Sequence, residues 1–247
     1  MAHRHSQGFT IIETTLVMAI VGLLAASVMV GIGSSLNHQR YTDAVTQAVA
    51  FFRNQYSQTI NTQNDRVAKA QRCSPSGVAA APTGANAADV YPGGSDCLLL
   101  GNILHSTDGK KISVYQVIGL NDPTDDASAV NKTDTAILSG VNLRQGNLVS
   151  DYSLEWGTGL QRPGGSTPAA FSVMVVRVPV SGTVVTYSAN SGGSTPSALL
   201  AATQSDLKLC IDQTGFFGVG VKPAGVIIKK AAANTAGVQQ IASGDCV

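Results

Sequence analysis

The stretch GFTIIETTLVMAIVGLLAASVMV, residues 8–30, carries one acidic side chain, Glu13, inside a long apolar run. Over the 28 residues from Phe9 to Leu36, Glu13 is the only charged residue. A helix of this length extends about 42 Å, which exceeds the roughly 30 Å hydrocarbon core of a bilayer. An ordinary secretory signal has a shorter apolar region that ends in a cleavage site of small residues. The segment therefore predicts a membrane-spanning helix.

The residues before the apolar run indicate its orientation. The amino terminus, Arg4 and two histidines, His3 and His5, precede it. Positively charged flanks tend to stay on the cytoplasmic side of a membrane. We therefore expect the amino terminus in the cytoplasm and everything after Leu36 outside.

Glu13 is costly in this position. An acidic side chain at the centre of a membrane helix costs about 2.5–3.5 kcal/mol on insertion scales, and less near an end. In one interpretation Glu13 lies shallow enough to reach the lipid headgroups and has no further role. In the other, its carboxylate waits for a cationic partner. The chemistry favours the second interpretation and leaves the first open.

The hexapeptide GFTIIE, residues 8–13, followed by an apolar run, resembles the amino-terminal signature of type IV pilins and pseudopilins. In that family a prepilin peptidase cuts after the glycine and methylates the new terminus. The resemblance implies a leader of residues 1–8, a cut between Gly8 and Phe9, and N-methylation of Phe9. It also implies that Glu13 pairs with the terminal amine of a neighbouring subunit's Phe9. The close resemblance is confined to roughly residues 1–35.

The same resemblance implies a function, partners and a location. The leading hypothesis is a structural subunit of a type IV pilus or related filament that serves adhesion, motility or DNA uptake. Its partners would be other copies and other pilins, the peptidase, an assembly platform protein and the membrane. It would be a single-pass membrane protein before assembly and extracellular afterwards. The alternatives are a pseudopilin of a type II secretion or competence system and, third, an extracellular enzyme or binding module on a plain anchor.

Beyond the apolar run the helical pattern becomes amphipathic. Apolar residues recur at spacings of three and four, which places them on one stripe of a helix; they are Tyr41, Ala44, Val45, Ala48, Val49, Phe52, Tyr56 and Ile60. No proline precedes Pro75. The pattern predicts one helix from about Phe9 to about Ala70, with residues 9–36 in the membrane or filament core and residues 37–70 docked on a head.

Residues 71–247 predict an extracellular, strand-rich head. Charged residues are 13% of the chain, below the roughly 25% of soluble domains. Residues 72–96 are typical of a long exposed loop. A short helix capped by Ser194 or Thr195 is predicted at Pro196. One helix with mostly antiparallel strands is an α+β architecture. The strands are predicted at 97–104, 111–119, 135–143, 148–156, 170–178, 182–188, 206–212, 216–221 and 225–230.

Four cysteines, Cys73, Cys97, Cys210 and Cys246, permit three pairings. The expected outside location favours disulfides over metal ligands. We favour Cys73 with Cys97, which closes the loop after the helix, and Cys210 with Cys246, which fixes the chain end. The second pairing is also similar, in layout, to the carboxy-terminal disulfide loop of pilins.

The sequence offers little for catalysis or nucleic-acid binding. A net charge of +1 gives no electrostatic reason for an obligatory nucleic-acid partner, with a local basic patch around Lys222, Lys229 and Lys230 as a minor alternative binding site. No zinc-protease, nucleophile-elbow or phosphate-loop motif is present, so we predict no catalytic residue. We expect no cofactor and no metal, with calcium a minor alternative at the cluster Asn121, Asp122, Asp125 and Asp126.

Overall fold

The structure, a computed structural model, describes residues 10–61, 71–74, 77–80, 97–120, 132–165, 168–213 and 222–246. A long amino-terminal helix packs on antiparallel sheets, which confirms the predicted α+β fold. The helices are α1 (Ile11–Ile60), α2 (Asp134–Gly140) and α3 (Pro196–Ala201). The strands are β1 (Gln71–Ser74), β2 (Gly77–Ala80), β3 (Cys97–Ser106), β4 (Lys111–Leu120), β5 (Arg144–Ser153), β6 (Leu160–Gln161), β7 (Phe171–Arg177), β8 (Val184–Ala189), β9 (Leu207–Ile211), β10 (Gly225–Ile228) and β11 (Val238–Ile241).

Helix α1 is 50 residues long and therefore about 75 Å in length. It ends at Ile60, where Asn61 leaves the helical conformation and its N–H donates to Ser57 O. The predicted end at about Ala70 is therefore too late. The run after Ile60 begins Asn-Thr-Gln-Asn-Asp, and such short polar side chains compete for backbone hydrogen bonds. Residues 62–70 lie outside the described part of the chain.

The larger sheet has five strands in the order β5-β4-β3-β7-β8, and every neighbouring pair is antiparallel. Strand β7 is an interior strand and buries six of its seven residues, because α1 covers one face of the sheet while α2 and α3 cover the other. The β3–β4 register shifts next to Gly101. A Cβ at that position would overlap Val175 O on β7, so only glycine fits there.

The smaller sheet has four strands in the order β11-β10-β9-β6, again antiparallel. It shares one apolar core with the larger sheet, and the carboxy-terminal half of α1 fills the space between them. Phe52 lies at the centre of this core, 1% exposed, with its ring 6.2 Å from that of Phe171. Strands β1 and β2 form a separate hairpin.

The predicted apolar stripe of α1 is the buried face of the helix. Seven of its eight residues are buried, from Tyr41 to Tyr56. Ile60 is the exception, with 43% of its surface exposed, since it is the last helical residue. Two tyrosines on this stripe carry their hydroxyl groups into the core between the sheets, which the spacing of apolar residues does not reveal.

The hydroxyl of Tyr56 links α1 to β8 and, through Thr186, to the connection between β10 and β11. It lies 2.8 Å from Thr186 Oγ1 on β8, and Thr186 in turn donates to Ala232 O at 2.6 Å. Because the Thr186 proton is used toward Ala232, Tyr56 is the donor of the pair. Burial raises the pKa of Tyr56 to about 12, so the phenol stays protonated at all ordinary pH values.

Tyr41 makes the corresponding contact nearer the amino-terminal end of α1. Its hydroxyl accepts from the Ala224 N–H at 2.8 Å and lies 3.2 Å from Ala224 O, just before β10. Burial raises the pKa of Tyr41 as well. The two hydroxyls fix the position of α1 along and across the head.

Replacing Tyr56 with phenylalanine should destabilise the folded head by about 1–2 kcal/mol, because Thr186 Oγ1 loses its buried donor while the ring still packs. Chemical denaturation of the full chain in detergent measures the change. Tyr115→Phe is the matched control, since the Tyr115 hydroxyl makes no hydrogen bond within the described residues. Equal stability of Tyr56→Phe and Tyr115→Phe would show that the linkage contributes nothing.

The strand predicted at 135–143 is wrong, because residues 134–140 form α2. Thr133 caps this helix, with its Oγ1 accepting from Ala136 N at 3.3 Å, and Asp134 occupies the first turn. Ile137 and Leu138 are buried against the larger sheet. Thr133-Asp134 is a helix-start signal, but the residues that follow it are of the β type and favour a strand.

Other differences concern short or irregular elements. The predicted loop at 72–96 overlaps the β1–β2 hairpin, and the sequence Pro75-Ser76 between the strands, followed by Gly77, is a turn signal. Strands β6 and β11 were missed because they are two and four residues long. Helix α3 begins at Pro196 and is capped by Thr195, which is one of the two predicted caps. The strand predicted at 216–221 lies outside the described residues.

Candidate assembly and membrane-anchoring helix

The first half of α1 projects from the head and is covered by nothing in the described chain. Every residue from Thr10 to Leu36 is exposed, including large apolar side chains such as Ile12 (76%) and Leu23 (73%). In the described part of the chain α1 is the one helix long and apolar enough to cross a membrane. A helix that is apolar all round needs lipid or other proteins on every side. This half is therefore built for burial outside its own subunit.

The helix begins within the GFTIIE signal, at Ile11. Thr10 is the N-cap, with extended backbone, and its Oγ1 accepts from Glu13 N at 3.3 Å. Thr10 and Glu13 have the threonine-x-x-glutamate spacing that often marks a helix start. Gly8 and Phe9, the predicted cleavage and methylation residues, lie outside the described part, so those roles stay predictions.

Glu13 lies in the first turn of α1, where the positive end of the helix dipole favours an anion. Its side chain is exposed, and no basic side chain among the described residues pairs with it. A carboxylate that enters lipid without a partner is expensive, and a cationic partner removes part of that cost. The geometry leaves Glu13 available to a cation from another chain.

The disulfide between Cys210 and Cys246 ties the chain end to β9, and it is the pairing that the sequence favoured. The two Cα atoms are 5.7 Å apart and 36 positions apart in the chain. Cys210 is buried beside Ile227 and Ile241 of the smaller sheet. The other favoured pair, Cys73 with Cys97, falls on side chains outside the described part and stays a prediction.

The contact between His105 and Ser172 joins the two residue types that serve as base and nucleophile in many catalytic sites. His105 Nδ1 lies 3.0 Å from Ser172 Oγ, and Nε2 lies 3.1 Å from Gln145 Oε1. The Ser172 hydroxyl already donates to Ser191 O at 2.7 Å, and Ser172 is fully buried. Burial lowers the pKa of His105. With its proton committed and no access for a substrate, Ser172 is a structural residue.

The remaining candidate sites from the sequence do not form a cluster. The described residues contain no group of three or more His, Cys, Asp or Glu that could hold a metal ion. The proposed calcium cluster at 121–126 lies outside them. Lys229 pairs with Asp206 at 3.0 Å, whereas Lys222 stands before the opposite end of β10, so these lysines form no single patch.

One contact at the base of the head was absent from the sequence prediction. The Arg40 guanidinium carbon lies 4.8 Å from the centre of the Trp156 ring. Trp156 occupies a 3₁₀ turn at Glu155–Gly157 with φ 59° and ψ 22°, a left-handed conformation. A lone tryptophan after a strand gives no signal of this kind, because the contact joins residues 116 positions apart.

Comparison with known proteins agrees with the geometry of the amino-terminal segment. The family model described as the prokaryotic N-terminal methylation motif matches residues 3–29. No curated protein and no solved structure matches the chain. The match covers residues 3–8 of the predicted leader, Glu13 and most of the exposed half of α1. The chain therefore carries the amino-terminal signal of type IV pilins and pseudopilins, at the start of a long helix packed on a pilin-like α+β head.

Proposed function

We propose that this chain is a prepilin that is inserted in the membrane, cleaved after Gly8, methylated at Phe9 and polymerised into a filament of the type IV pilus class. One observation carries the proposal: the methylation motif, matched at residues 3–29, overlaps a run of 26 helical residues, 11–36, every one of which the subunit leaves exposed. Lipid covers this surface before assembly. Neighbouring copies of α1 cover it afterwards.

In this proposal Glu13 acts in the transfer from lipid to filament. Cleavage creates a positively charged amine at Phe9, four residues before Glu13. The new amine and Glu13 are separated by only four positions in the sequence, and we propose that the carboxylate of one subunit meets the amine of the next when the helices pack side by side. An ion pair formed in a low-dielectric core strongly favours the assembled state over separate subunits.

The cellular role of the filament is a more specific proposal. We propose a surface filament for adhesion, motility or DNA uptake, built with the peptidase and an assembly platform protein as partners. A pseudopilin of a secretion or competence machine carries the same signal and is the second candidate. Recovery of the chain in sheared surface filaments supports the first, whereas retention in the cell envelope of secreting cells supports the second.

Mass spectrometry of the mature chain tests the processing step. We expect a chain that begins at Phe9, lacks residues 1–8 and carries one additional methyl group on its terminal nitrogen. Gly8→Val should retain the whole leader, because the bulky side chain blocks cleavage, and it serves as the control. A mature wild-type chain that still begins at Met1 would instead support a plain membrane anchor.

A further inference from the structure

The base of the head carries an unusual set of side chains, here called the lower rim: Arg40 and Trp156 on one flank of α1, and His38 and Lys222 on the other. Arg40 follows Leu36 by four residues, which is about 6 Å along a helix. The headgroup region adds roughly 5–8 Å to each side of the hydrocarbon core. When Leu36, the last residue of the apolar run, lies at the edge of the hydrocarbon core, the lower rim therefore lies in the headgroup layer.

Trp156 is the only tryptophan in the chain, and it is held outward at this level. Half of its surface, 51%, is exposed, and its φ of 59° is unfavourable for a bulky residue. Such strain persists only where the surrounding structure enforces it, and it concentrates at functional positions. Tryptophan is enriched at membrane interfaces because its ring is apolar and its N–H is polar.

Arg40 supplies the polar half of this flank. Its guanidinium stacks over the Trp156 ring at 4.8 Å, and Arg40 itself is exposed. Stacking uses the flat face of a guanidinium and leaves its N–H edge free to bind two oxygens of a phosphate. On the other flank exposed Lys222 and His38 line one shallow groove with Tyr41.

The acidic groups near the lower rim decide which feature of a lipid it recognises. The Glu155 carboxylate accepts from Gln47 Nε2 at 3.2 Å, and Gln47 lies seven residues, about 10 Å, farther from the membrane than Arg40. Asp43 lies one turn above Arg40, and Asp212 lies near the Tyr41 hydroxyl. The charge of the region is thus mixed. Its cations suit the phosphate that all phospholipids share, with no preference for a net negative surface.

We propose that the lower rim docks on phospholipid headgroups while the subunit waits in the membrane, with the Trp156 ring in the interface and Arg40 on a lipid phosphate. This inference rests on the proposed membrane-anchored state. Docking at two flanks of α1 fixes the height and tilt of the head before assembly. The same contacts must be released when the subunit leaves the bilayer.

Trp156 itself provides the test, because all tryptophan fluorescence of the chain comes from it. The full chain is reconstituted at low density in phosphatidylcholine vesicles, with and without phosphatidylglycerol. Lipids brominated near the headgroup end of the acyl chain should quench Trp156 in both, and acrylamide should quench it weakly. In Arg40→Gln the ratio of lipid to acrylamide quenching should fall by about threefold, since one charged hydrogen-bonding group is lost. Arg144→Gln removes the same charge at the opposite end of β5 and should change nothing.

Each contrary result has a defined meaning. Strong acrylamide quenching without lipid quenching would overturn the proposal, as would equal ratios in Arg40→Gln and the wild type. Protection of Trp156 that rises with the protein-to-lipid ratio would assign the lower rim to a second copy of the chain and also overturn it. Flotation with the vesicles is measured in parallel. A chain that does not float contradicts membrane anchoring itself, whereas one that floats with unprotected Trp156 contradicts only the docking.

Discussion

Replacing Glu13 with glutamine is expected to leave membrane insertion and cleavage intact and to remove the chain from filaments. Glutamine has nearly the same shape and lacks the charge, so packing of α1 is preserved. Removing one partner of a buried ion pair costs about 3–5 kcal/mol, which corresponds to a loss of assembly of a hundredfold or more. Insertion should become easier, because the cost of placing a carboxylate in lipid disappears.

The measurement compares sheared filaments with the membrane fraction by immunoblotting. Asp43→Asn is the matched control, since it removes one carboxylate from the same helix outside the apolar run and should assemble normally. Glu13→Asp keeps the charge on a shorter side chain and should restore part of the assembly. Normal filament yield from Glu13→Gln would refute the pairing, and loss of the variant from the membrane would assign Glu13 to insertion or stability instead.

The features that the sequence predicted well are local or periodic. The GFTIIE signal lies within six residues, and the stripe from Tyr41 to Tyr56 repeats at the helical period. Both can therefore be recognised without knowledge of the fold. Strand β7 can also be predicted from the sequence, because a short run rich in valine and phenylalanine is typical of a buried strand. In each case the physical cause is contained in the neighbouring residues.

The features that the sequence did not predict depend on partners far along the chain. Helix α2 forms because Ile137 and Leu138 meet the face of the larger sheet, although the same run would also fit a strand. The Tyr56 hydroxyl finds Thr186 across 130 positions. The stack of Arg40 on Trp156 requires both a left-handed turn and the docking of α1. Tertiary packing decides each of these features, and the one local signal among them, the Thr133-Asp134 cap of α2, does not by itself exclude a strand.

Breaking the Cys210–Cys246 disulfide should cause the largest loss of stability in the head. Closing a loop with a separation of 36 residues stabilises the folded state by about 4 kcal/mol in the chain-entropy account. For a domain of this size the melting temperature should fall by roughly 8–16 °C. Cys210→Ser also places a hydroxyl beside Ile227 and Ile241, which adds to the loss.

A set of three variants separates the bond from the side chains. Cys246→Ser alone and the double variant Cys210→Ser/Cys246→Ser should melt within a few degrees of each other, because either one removes the same covalent link. Thermal unfolding of the full chain in detergent, followed by near-ultraviolet circular dichroism, provides the comparison. If the effects of the two single variants add in the double variant, the cysteines act independently and the pairing is wrong. If all three melt with the wild type, the chain end is held by the ion pair of Lys208 with Asp245 and by the packing of β11 rather than by the disulfide.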